Sequence, residues 1–180
     1  MSMRKPKPKD EPALLDYAAR LLGMRGHSLG ELREKLRSRA ERLGDVDVVI
    51  AKLKELGYLD DRKFAENYAA TRLANEGLGK MRVLRDLRQR RVAPALAEKV
   101  VTDAYRATDE PALIEAWLAR KYRAKNLPEW LGEEKNLASA FRRLRTAGFS
   151  ASNSINVLKR YAKQAESLEY FEASEEPGEL

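Results

Sequence analysis

The chain has 180 residues, of which 43% are hydrophobic and 35% charged, a composition typical of folded rather than disordered proteins. It contains no cysteine, which excludes disulfides, thiolate zinc sites and cysteine nucleophiles and fits a reducing compartment. No apolar run approaches the roughly 18–20 residues that a membrane span requires, so we expect a cytoplasmic protein without membrane contact. The net charge of +7 is compatible with a polyanionic partner.

Charge is unevenly distributed along the chain. Residues 135–165 contain seven Lys or Arg and no acidic residue, whereas residues 166–180 contain six Glu and no base. Residues 80–91 hold six basic residues against the single acid Asp86. The sequence therefore predicts a basic body with an acidic C-terminal tail, and we expect the tail to compete with phosphate for the body.

Apolar residues recur at helical spacing in nearly every segment, and sustained period-2 alternation is missing. Leu14, Ala18 and Leu21 would share one face of a first helix, and Ile114 and Leu118 one face of a later helix. β-Branched residues cluster only at VDVVI and KVV, where patterns of helix length continue. The chain is predicted to be all-α.

Three successive segments repeat one order of helices: a long amphipathic helix, a shorter basic helix and, after a break, a third helix. The predicted organisation is a disordered basic N-terminal tail, three repeats and the acidic tail, at residues 1–12, 13–59, 60–107, 108–165 and 166–180. One repeat alone buries too little surface to be very stable, so neighbours should stack. The predicted fold is thus a tandem array of three three-helix repeats, elongated or curved.

Local signals mark the breaks between helices. Ser28 suits the N-cap of a helix, with Glu31 three residues on as its capping-box partner. Gly57 follows the last apolar turn of the first repeat, and Pro94 suits the first turn of a helix. An insertion around Pro128–Gly132 lengthens one connection of the third repeat, where we expect a loop.

The adjacent carboxylates Asp60 and Asp61 are either an acid/base or metal-binding pair or the start of a helix. Catalysis and metal binding both need convergent groups, usually further carboxylates or histidines. Here Arg62 and Lys63 follow, and Glu66 is the only other acid nearby. We therefore interpret one Asp as an N-cap and the other as a first-turn residue favoured by the helix dipole.

The other candidate catalytic or binding residues lack the partner residues that such sites require. His27 is the only histidine and has no obvious partner, and the EGLGKM stretch has Ala74 and Met81 where a phosphate loop needs Gly and Ser or Thr. No constellation for nucleophilic catalysis stands out. The chain is predicted not to be an enzyme, with no catalytic, cofactor-binding or metal-binding residues.

Positive charge on the basic helices is the remaining signal. Arg82, Arg85 and Arg88 recur every three residues, and the corresponding helix of the third repeat is also basic. Such runs are commonly solvated faces, but their recurrence in matching helices favours contact with phosphate or an acidic protein surface. The predicted contact surface comprises Lys80, Arg82, Arg85, Arg88, Arg90, Arg91, Arg142, Arg143, Arg145, Lys159 and Arg160.

Three aromatic residues of the third repeat could stack on single-stranded bases. Trp117 lies at core spacing with Ile114 and Leu118, which favours packing, and Tyr122 follows on the same helix. Trp130, in the insertion, is the better candidate for an exposed contact.

Several short patterns are shared with one family. The main block is Gly57-Tyr58-Leu59-Asp60-Asp61, Phe64-Ala65, Tyr68, Arg72, Gly79, Arg82-Val83 and Asp86-Leu87. Further matches are Ser28, Glu31-Leu32, Lys35-Leu36 and Gly148-Phe149-Ser150. On these residues the chain resembles, over about 13–165, the RecX family of bacterial regulatory proteins, which modulate the RecA recombinase. It departs from the family at Arg91-Val92, where a glycine often precedes the apolar residue, and in the insertion.

The resemblance implies an array of three-helix repeats that binds RecA within the groove of its filament on single-stranded DNA. It implies inhibition of strand exchange and of ATP hydrolysis, and no chemistry or cofactor of the chain's own. We expect a monomer, with direct DNA contact left open. The alternatives are a stand-alone helical DNA-binding protein of helix-turn-helix type and a structural adaptor that rests on the repeats alone.

Overall fold

The computed structural model describes residues 7–162 and 165. Apart from an isolated parallel β-bridge between Lys9 and Ala40, all regular structure in this part is helical, which confirms the all-α prediction. The helices are α1 Glu11–Met24, α2 Leu29–Arg37, α3 Leu43–Glu55, α4 Asp61–Thr71, a π-helical turn Arg72–Glu76, α5 Lys80–Gln89, α6 Pro94–Tyr105, α7 Glu110–Lys121, α8 Leu127–Leu131, α9 Glu134–Thr146 and α10 Ala151–Lys159. None of the helices in residues 7–162 is long and apolar enough to cross a membrane.

The chain forms two compact units. The first comprises Met1–Tyr68 and Asp86–Val101, and the second comprises Ala69–Arg85 and Thr102–Leu180. The division cuts through α4 and α5, so these units do not coincide with the predicted repeats, which remain a prediction.

The core of the first unit lies among its first three helices. Helix α1 packs against α2 and α3, and α2 packs against α3. Leu14 and Ala18 of α1 and Leu32 and Leu36 of α2 are fully buried, so the residues at helical spacing in the sequence do form the core face. The buried members of this core are Leu14, Ala18, Leu32, Leu36, Val46, Val49, Ile50, Leu53 and Leu59.

The first helix begins inside the segment predicted to be disordered. Asp10 caps α1 by accepting a hydrogen bond from the Ala13 main-chain N–H, so the helix begins at Glu11. The Lys9 main chain donates to the Arg39 carbonyl and accepts from the Glu41 N–H, both at 2.8 Å. The expectation of disorder is therefore wrong for residues 9–12, because main-chain hydrogen bonds hold them. Residues 1–6 of that tail and the acidic tail, 166–180, lie outside the described residues.

The second unit is built around α7, α9 and α10. Helix α10 packs against α7 and α9, and the buried residues that these helices share include Ile114, Leu118, Leu144 and Leu158. Trp117 is 9% exposed, as its core spacing predicts.

The insertion of the third repeat is a helix where a loop is predicted. Leu131 of α8 is fully buried, and α8 packs against α9. The Trp130 ring is half-buried and its centroid lies 4.4 Å from that of Tyr122. Trp130 thus packs on the core of the second unit rather than projecting as an exposed contact.

One packing motif occurs in both units: the start of a basic helix meets the turn that follows a later basic helix. In the first unit the Ser28 hydroxyl donates to the Arg90 carbonyl, and a Cβ on Gly30 would lie 2.5 Å from the Arg91 Cβ. Arg91 has φ 60°, the left-handed region that favours glycine, at the position where the RecX pattern often has one.

The same motif in the second unit uses two glycines. The Gly79 N–H donates to the Ala147 carbonyl at 2.9 Å, and the Met81 N–H donates to the Gly148 carbonyl at 3.1 Å. Gly148 has φ 92°, and a Cβ on it would lie 2.1 Å from the Arg82 main-chain nitrogen. Only glycine fits this turn and this separation of the two backbones.

Candidate cationic interface

The two adjacent carboxylates that raised the question of chemistry are both helix caps. The Asp60 carboxylate accepts from the main-chain N–H groups of Arg62 and Lys63, at 2.9 and 3.0 Å, and so caps α4. Asp61 accepts instead from the Leu29 N–H at the start of α2, at 2.6 Å. Within residues 7–162 and 165, no group of three or more His, Asp or Glu side chains could hold a metal ion. The structural interpretation of this pair is therefore supported: Asp60 is the N-cap of α4, and Asp61 lies in the first turn of α4 while also accepting from the start of α2.

His27 lies in a buried polar cluster of the first unit. It is 5% exposed, and its Nδ1 lies 3.6 Å from the Glu31 carboxylate, beyond hydrogen-bond distance. Glu31 completes the capping box with Ser28 and also accepts from Arg25 at 3.3 Å and Arg90 at 3.4 Å. Burial lowers the pKa of His27 and the charge of Arg25 lowers it further, while Glu31 opposes both. The arrangement is that of a neutral, packed histidine.

Glu31 itself is held ionised by its donors. Burial alone would raise its pKa, but the hydrogen bonds from Arg25 and the Ser28 N–H, with the charges of Arg25 and Arg90, lower it below its ordinary value. The Arg90 guanidinium also lies 4.9 Å from the centroid of the Tyr68 ring. Arg90, predicted as a contact residue, is thus engaged in the structure of the first unit.

Two further predicted contact residues of this unit form exposed ion pairs. Arg88 pairs with Glu98 at 2.7 Å and Arg91 with Glu34 at 2.6 Å, and all four side chains are about half-exposed. Exposed pairs of this kind stabilise a protein by roughly 0–1 kcal/mol, so a phosphate or carboxylate of a partner could replace either acid. Arg88 and Arg91 remain available for contact in a way that Arg90 is not.

The remaining predicted residues belong to the second unit. Arg85 donates to the Thr146 carbonyl at 3.2 Å, Arg145 donates to the Phe149 carbonyl at 2.8 Å, and Arg160 pairs with Glu115. Lys80 and Arg142 are exposed, and Lys159 is half-buried.

A cleft in the second unit brings Arg82 of α5 and Arg143 of α9 together. It has a volume of about 580 Å³ and is also lined by Arg120 and Lys121 of α7. The other lining residues are Asn75, Glu76, Leu78, Trp117, Thr146 and Ala147. Two residues predicted from separate basic helices therefore share one concave site with two that were not predicted.

Positive charge dominates this cationic cleft. Glu76 is the only acid among its lining residues, and its carboxylate pairs with Arg72 of the same π-helical turn. Arg120 donates to the Glu76 carbonyl, which fixes that guanidinium at the wall of the cleft. The Arg143 guanidinium lies 6.0 Å from the centroid of the Tyr122 ring. Four cations and one ion-paired carboxylate give the lining of the cleft a net positive charge, which attracts anions.

Sequence reasoning missed Arg120 and Lys121 for a physical reason. Both follow the apolar face of α7 at its last turn, where basic residues commonly interact with the helix dipole. No local pattern links them to Arg82, almost forty residues earlier. The one available signal is the run ARKYRAK, whose charges by themselves indicate only the end of a helix.

Comparison with known proteins gives one family. The family model described as "RecX, second three-helix domain" matches residues 60–101, beginning where the second repeat is predicted to begin. The Regulatory protein RecX of Escherichia coli O7:K1 (strain IAI39 / ExPEC) is 35% identical over 119 residues, which cover 61% of this chain and 70% of that protein. The Regulatory protein RecX of Thermus thermophilus is 34% identical over 113 residues, covering 62% and 75%.

The Regulatory protein RecX of Halorhodospira halophila is 40% identical over 92 residues, and the chain spans just over half of it, 56% of its length. Among solved structures, RecX from Lactobacillus salivarius superposes with a TM-score of 0.59 at 19% identity, over 84% of this chain and 96% of that one. This superposition supports the helical fold alone.

Proposed function

This chain belongs to the RecX family of regulatory proteins, and we propose that it regulates the RecA recombinase by binding the RecA filament on single-stranded DNA. In this proposal binding inhibits both strand exchange and ATP hydrolysis, and the chain carries out no reaction itself. We further propose that it acts as a monomer in the cytoplasm.

The observation that carries the proposal is the match of the second three-helix domain of RecX to residues 60–101. This stretch contains α5, whose Arg85 and Arg88 are exposed and face outward beside the buried Val83 and Leu87. A protein filament on DNA repeats the same protein surface and the same phosphate groups along its length. Several weak cationic contacts on one chain would therefore add as avidity.

The direct test adds increasing amounts of the purified chain to RecA, ATP and single-stranded DNA. ATP hydrolysis and strand exchange are both expected to fall, and no change at a saturating dose would overturn the proposal. A chain that binds DNA tightly, with a steep negative salt dependence, but leaves RecA unaffected would instead be a stand-alone DNA-binding protein.

The contribution of α5 is tested by the double variant Arg85→Gln/Arg88→Gln. It is expected to bind the RecA filament more weakly and to need a correspondingly higher dose for inhibition. The matched control is Arg20→Gln/Arg37→Gln, which removes two exposed arginines of α1 and α2. Equal inhibition by both variants would show that α5 has no special role, and thermal unfolding of both checks that the fold is kept.

A further inference from the structure

We propose that the cationic cleft of the second unit binds phosphate groups of single-stranded DNA, with Lys121 and Arg143 as the contacting side chains. The inference rests on the proposed function and deepens it, because it assigns the DNA part of the filament to one site. It differs from the predicted surface by including Arg120 and Lys121 of α7 and by retaining only Arg82 and Arg143 of the predicted residues.

The charges select the chemical class of the ligand. The cleft is lined by Arg82, Arg120, Lys121 and Arg143, with Glu76 already paired to Arg72. Guanidinium groups bind phosphate oxygens through two parallel hydrogen bonds, and an ammonium group binds them as a point charge. Several cations lining one cleft suit a narrow ligand with repeated negative charges. A phosphodiester backbone is such a ligand.

The individual side chains divide into structural and available cations. Arg120 donates to the Glu76 carbonyl and therefore shapes the wall. Lys121 is exposed, and no hydrogen bond or ion pair of its side chain occurs within residues 7–162. Arg143 is exposed and rests on the Tyr122 ring, a contact that leaves its N–H groups free to donate. These two side chains are the ones that can approach a phosphate without breaking a structural bond.

The shape of the site selects a single strand over a duplex. The cleft is concave, with a volume of about 580 Å³, the size of a small-ligand pocket. Phosphates of a duplex lie on the outside of a stiff rod and can reach only the rim of such a cleft. A single strand is flexible enough for one or two of its phosphates to enter.

Trp117 provides a spectroscopic probe inside the site. It lines the cleft, is 9% exposed and makes edge contacts with the rings of Tyr122 and Phe149. The chain has two tryptophans, and Trp130→Phe leaves Trp117 as the only one. Its emission is expected to change when the cleft fills.

The experiment measures binding of the full chain to a fluorescein-labelled oligothymidylate by anisotropy, without RecA and at about 0.1 M salt. Loss of two phosphate contacts in Lys121→Gln/Arg143→Gln is expected to weaken binding by about 10- to 30-fold and to reduce the slope of log K against log salt by about 1.4. In the Trp130→Phe background, the same oligonucleotide should change Trp117 emission.

The matched control is Arg123→Gln/Lys125→Gln, which removes one Arg and one Lys of the same unit that are exposed, do not line the cleft and do not belong to the predicted contact surface. It is expected to change affinity by less than about threefold. An equal loss in both variants would mean that only the overall charge matters, and would overturn the assignment. Unchanged circular dichroism and melting temperature exclude unfolding as the cause, and the single variant Lys121→Gln repeats the test with less perturbation.

The other outcomes are equally decisive. The inference would be overturned if the unaltered chain failed to bind the oligonucleotide. It would also be overturned if Lys121→Gln/Arg143→Gln lost affinity only for a duplex of the same sequence and kept its affinity for the single strand. A variant that keeps its DNA affinity but loses binding to RecA protein without DNA would overturn it as well, since the cleft would then accept an acidic protein surface. If the chain binds single strands through the cleft but leaves RecA activity unchanged, the inference stands and the proposed function fails.

Discussion

Asp61 accepts a hydrogen bond from the main-chain N–H of Leu29, 32 residues earlier in the chain, at 2.6 Å. Its neighbour Asp60 caps α4 through Arg62 and Lys63, so two adjacent carboxylates satisfy the starts of two different helices. Ser28, the residue directly before α2, caps it by accepting from the Glu31 N–H. Asp61, from a distant part of the chain, adds a charged acceptor at the same helix start. The contact joins α2 to the start of α4 inside the first unit.

Asp61→Ala should therefore destabilise the chain as the loss of an N-cap does. We expect the free energy of unfolding to fall by about 1–2 kcal/mol, because the Leu29 N–H loses its acceptor and α2 its nearby negative charge. Urea unfolding followed by circular dichroism measures this. Asp16→Ala, at an exposed position of α1, is the control and should change stability by at most about 0.5 kcal/mol. A midpoint for Asp61→Ala equal to that of the control would contradict the capping role.

Gly148→Ala is expected to be severely destabilising. A Cβ there would lie 2.1 Å from the Arg82 nitrogen, and the residue has φ 92°. Backbone strain and the lost main-chain contact together should cost more than about 3 kcal/mol. The control is Gly23→Ala in α1, where a Cβ meets nothing within 4 Å and helix propensity should improve stability by up to about 1 kcal/mol. Equal unfolding midpoints for the two variants would show that the turn can open without loss.

His27 makes the stability of the fold depend on pH at values above those at which carboxylates titrate. Burial, Arg25, Lys35 and Arg90 lower its pKa in the folded chain and only Glu31 opposes them, so the unfolded chain binds the proton more readily. The folded state is thus favoured above the unfolded pKa of about 6.5, and that stability is lost as pH falls toward the lower folded pKa. The lowered pKa values of Glu31 and Glu110 act in the same direction but only near and below pH 4.5.

The prediction is that the free energy of unfolding decreases from pH 7.0 to 5.5 and that His27→Gln flattens this decrease. The assignment is clean because the chain has one histidine. Urea unfolding of both proteins at the two pH values measures the difference. If His27→Gln shows the same decrease in the free energy of unfolding as the unaltered chain, another group causes the pH dependence.

Glu110 of α7 holds the start of α10 in the second unit. Its carboxylate accepts from the Ser150 N–H and hydroxyl and from the Asn153 amide, at 2.8, 2.7 and 2.6 Å. Burial alone would raise the pKa of Glu110, but these bonds and the charge of Arg145 lower it. Glu110→Gln should cost about 1.5–3 kcal/mol, the range for hydrogen bonds to a charged group. Thermal unfolding tests this against Glu55→Gln, an exposed control that should leave the melting temperature almost unchanged.

Local chemistry explains which features could be predicted from the sequence. The core positions Leu14 and Ala18 follow from helical spacing, and the caps at Ser28 and Asp60 follow from residue type next to an apolar run. Helix α8 could not be predicted in this way because five residues are too few to show a 3.6-residue period, although Leu131 is fully buried.

Tertiary contacts account for the rest. Nothing beside Asp61 indicates Leu29 as its donor, and nothing beside Lys121 indicates Arg143 as its neighbour in a cleft. The predicted basic surface treats every arginine alike, whereas Arg90 is committed to Glu31 and Tyr68. A cation that holds the fold together can be told from one that is available to a ligand only when its binding partners are known. Those partners lie far away in the chain.

The acidic tail provides a prediction that depends on charge alone. Residues 166–180 carry six Glu, and the cationic cleft and the exposed arginines offer them the same electrostatic attraction that they offer phosphate. Replacing all six by Gln should raise affinity for a single-stranded oligonucleotide severalfold at about 0.05 M salt, where charges interact over more than about 10 Å, and should have little effect at about 0.5 M. Deletion of residues 166–180 should give the same increase, because only the charge competes. Anisotropy titrations at both salt concentrations measure the effect, and an affinity that the Gln replacements leave unchanged at low salt would show that the tail does not compete for the basic body.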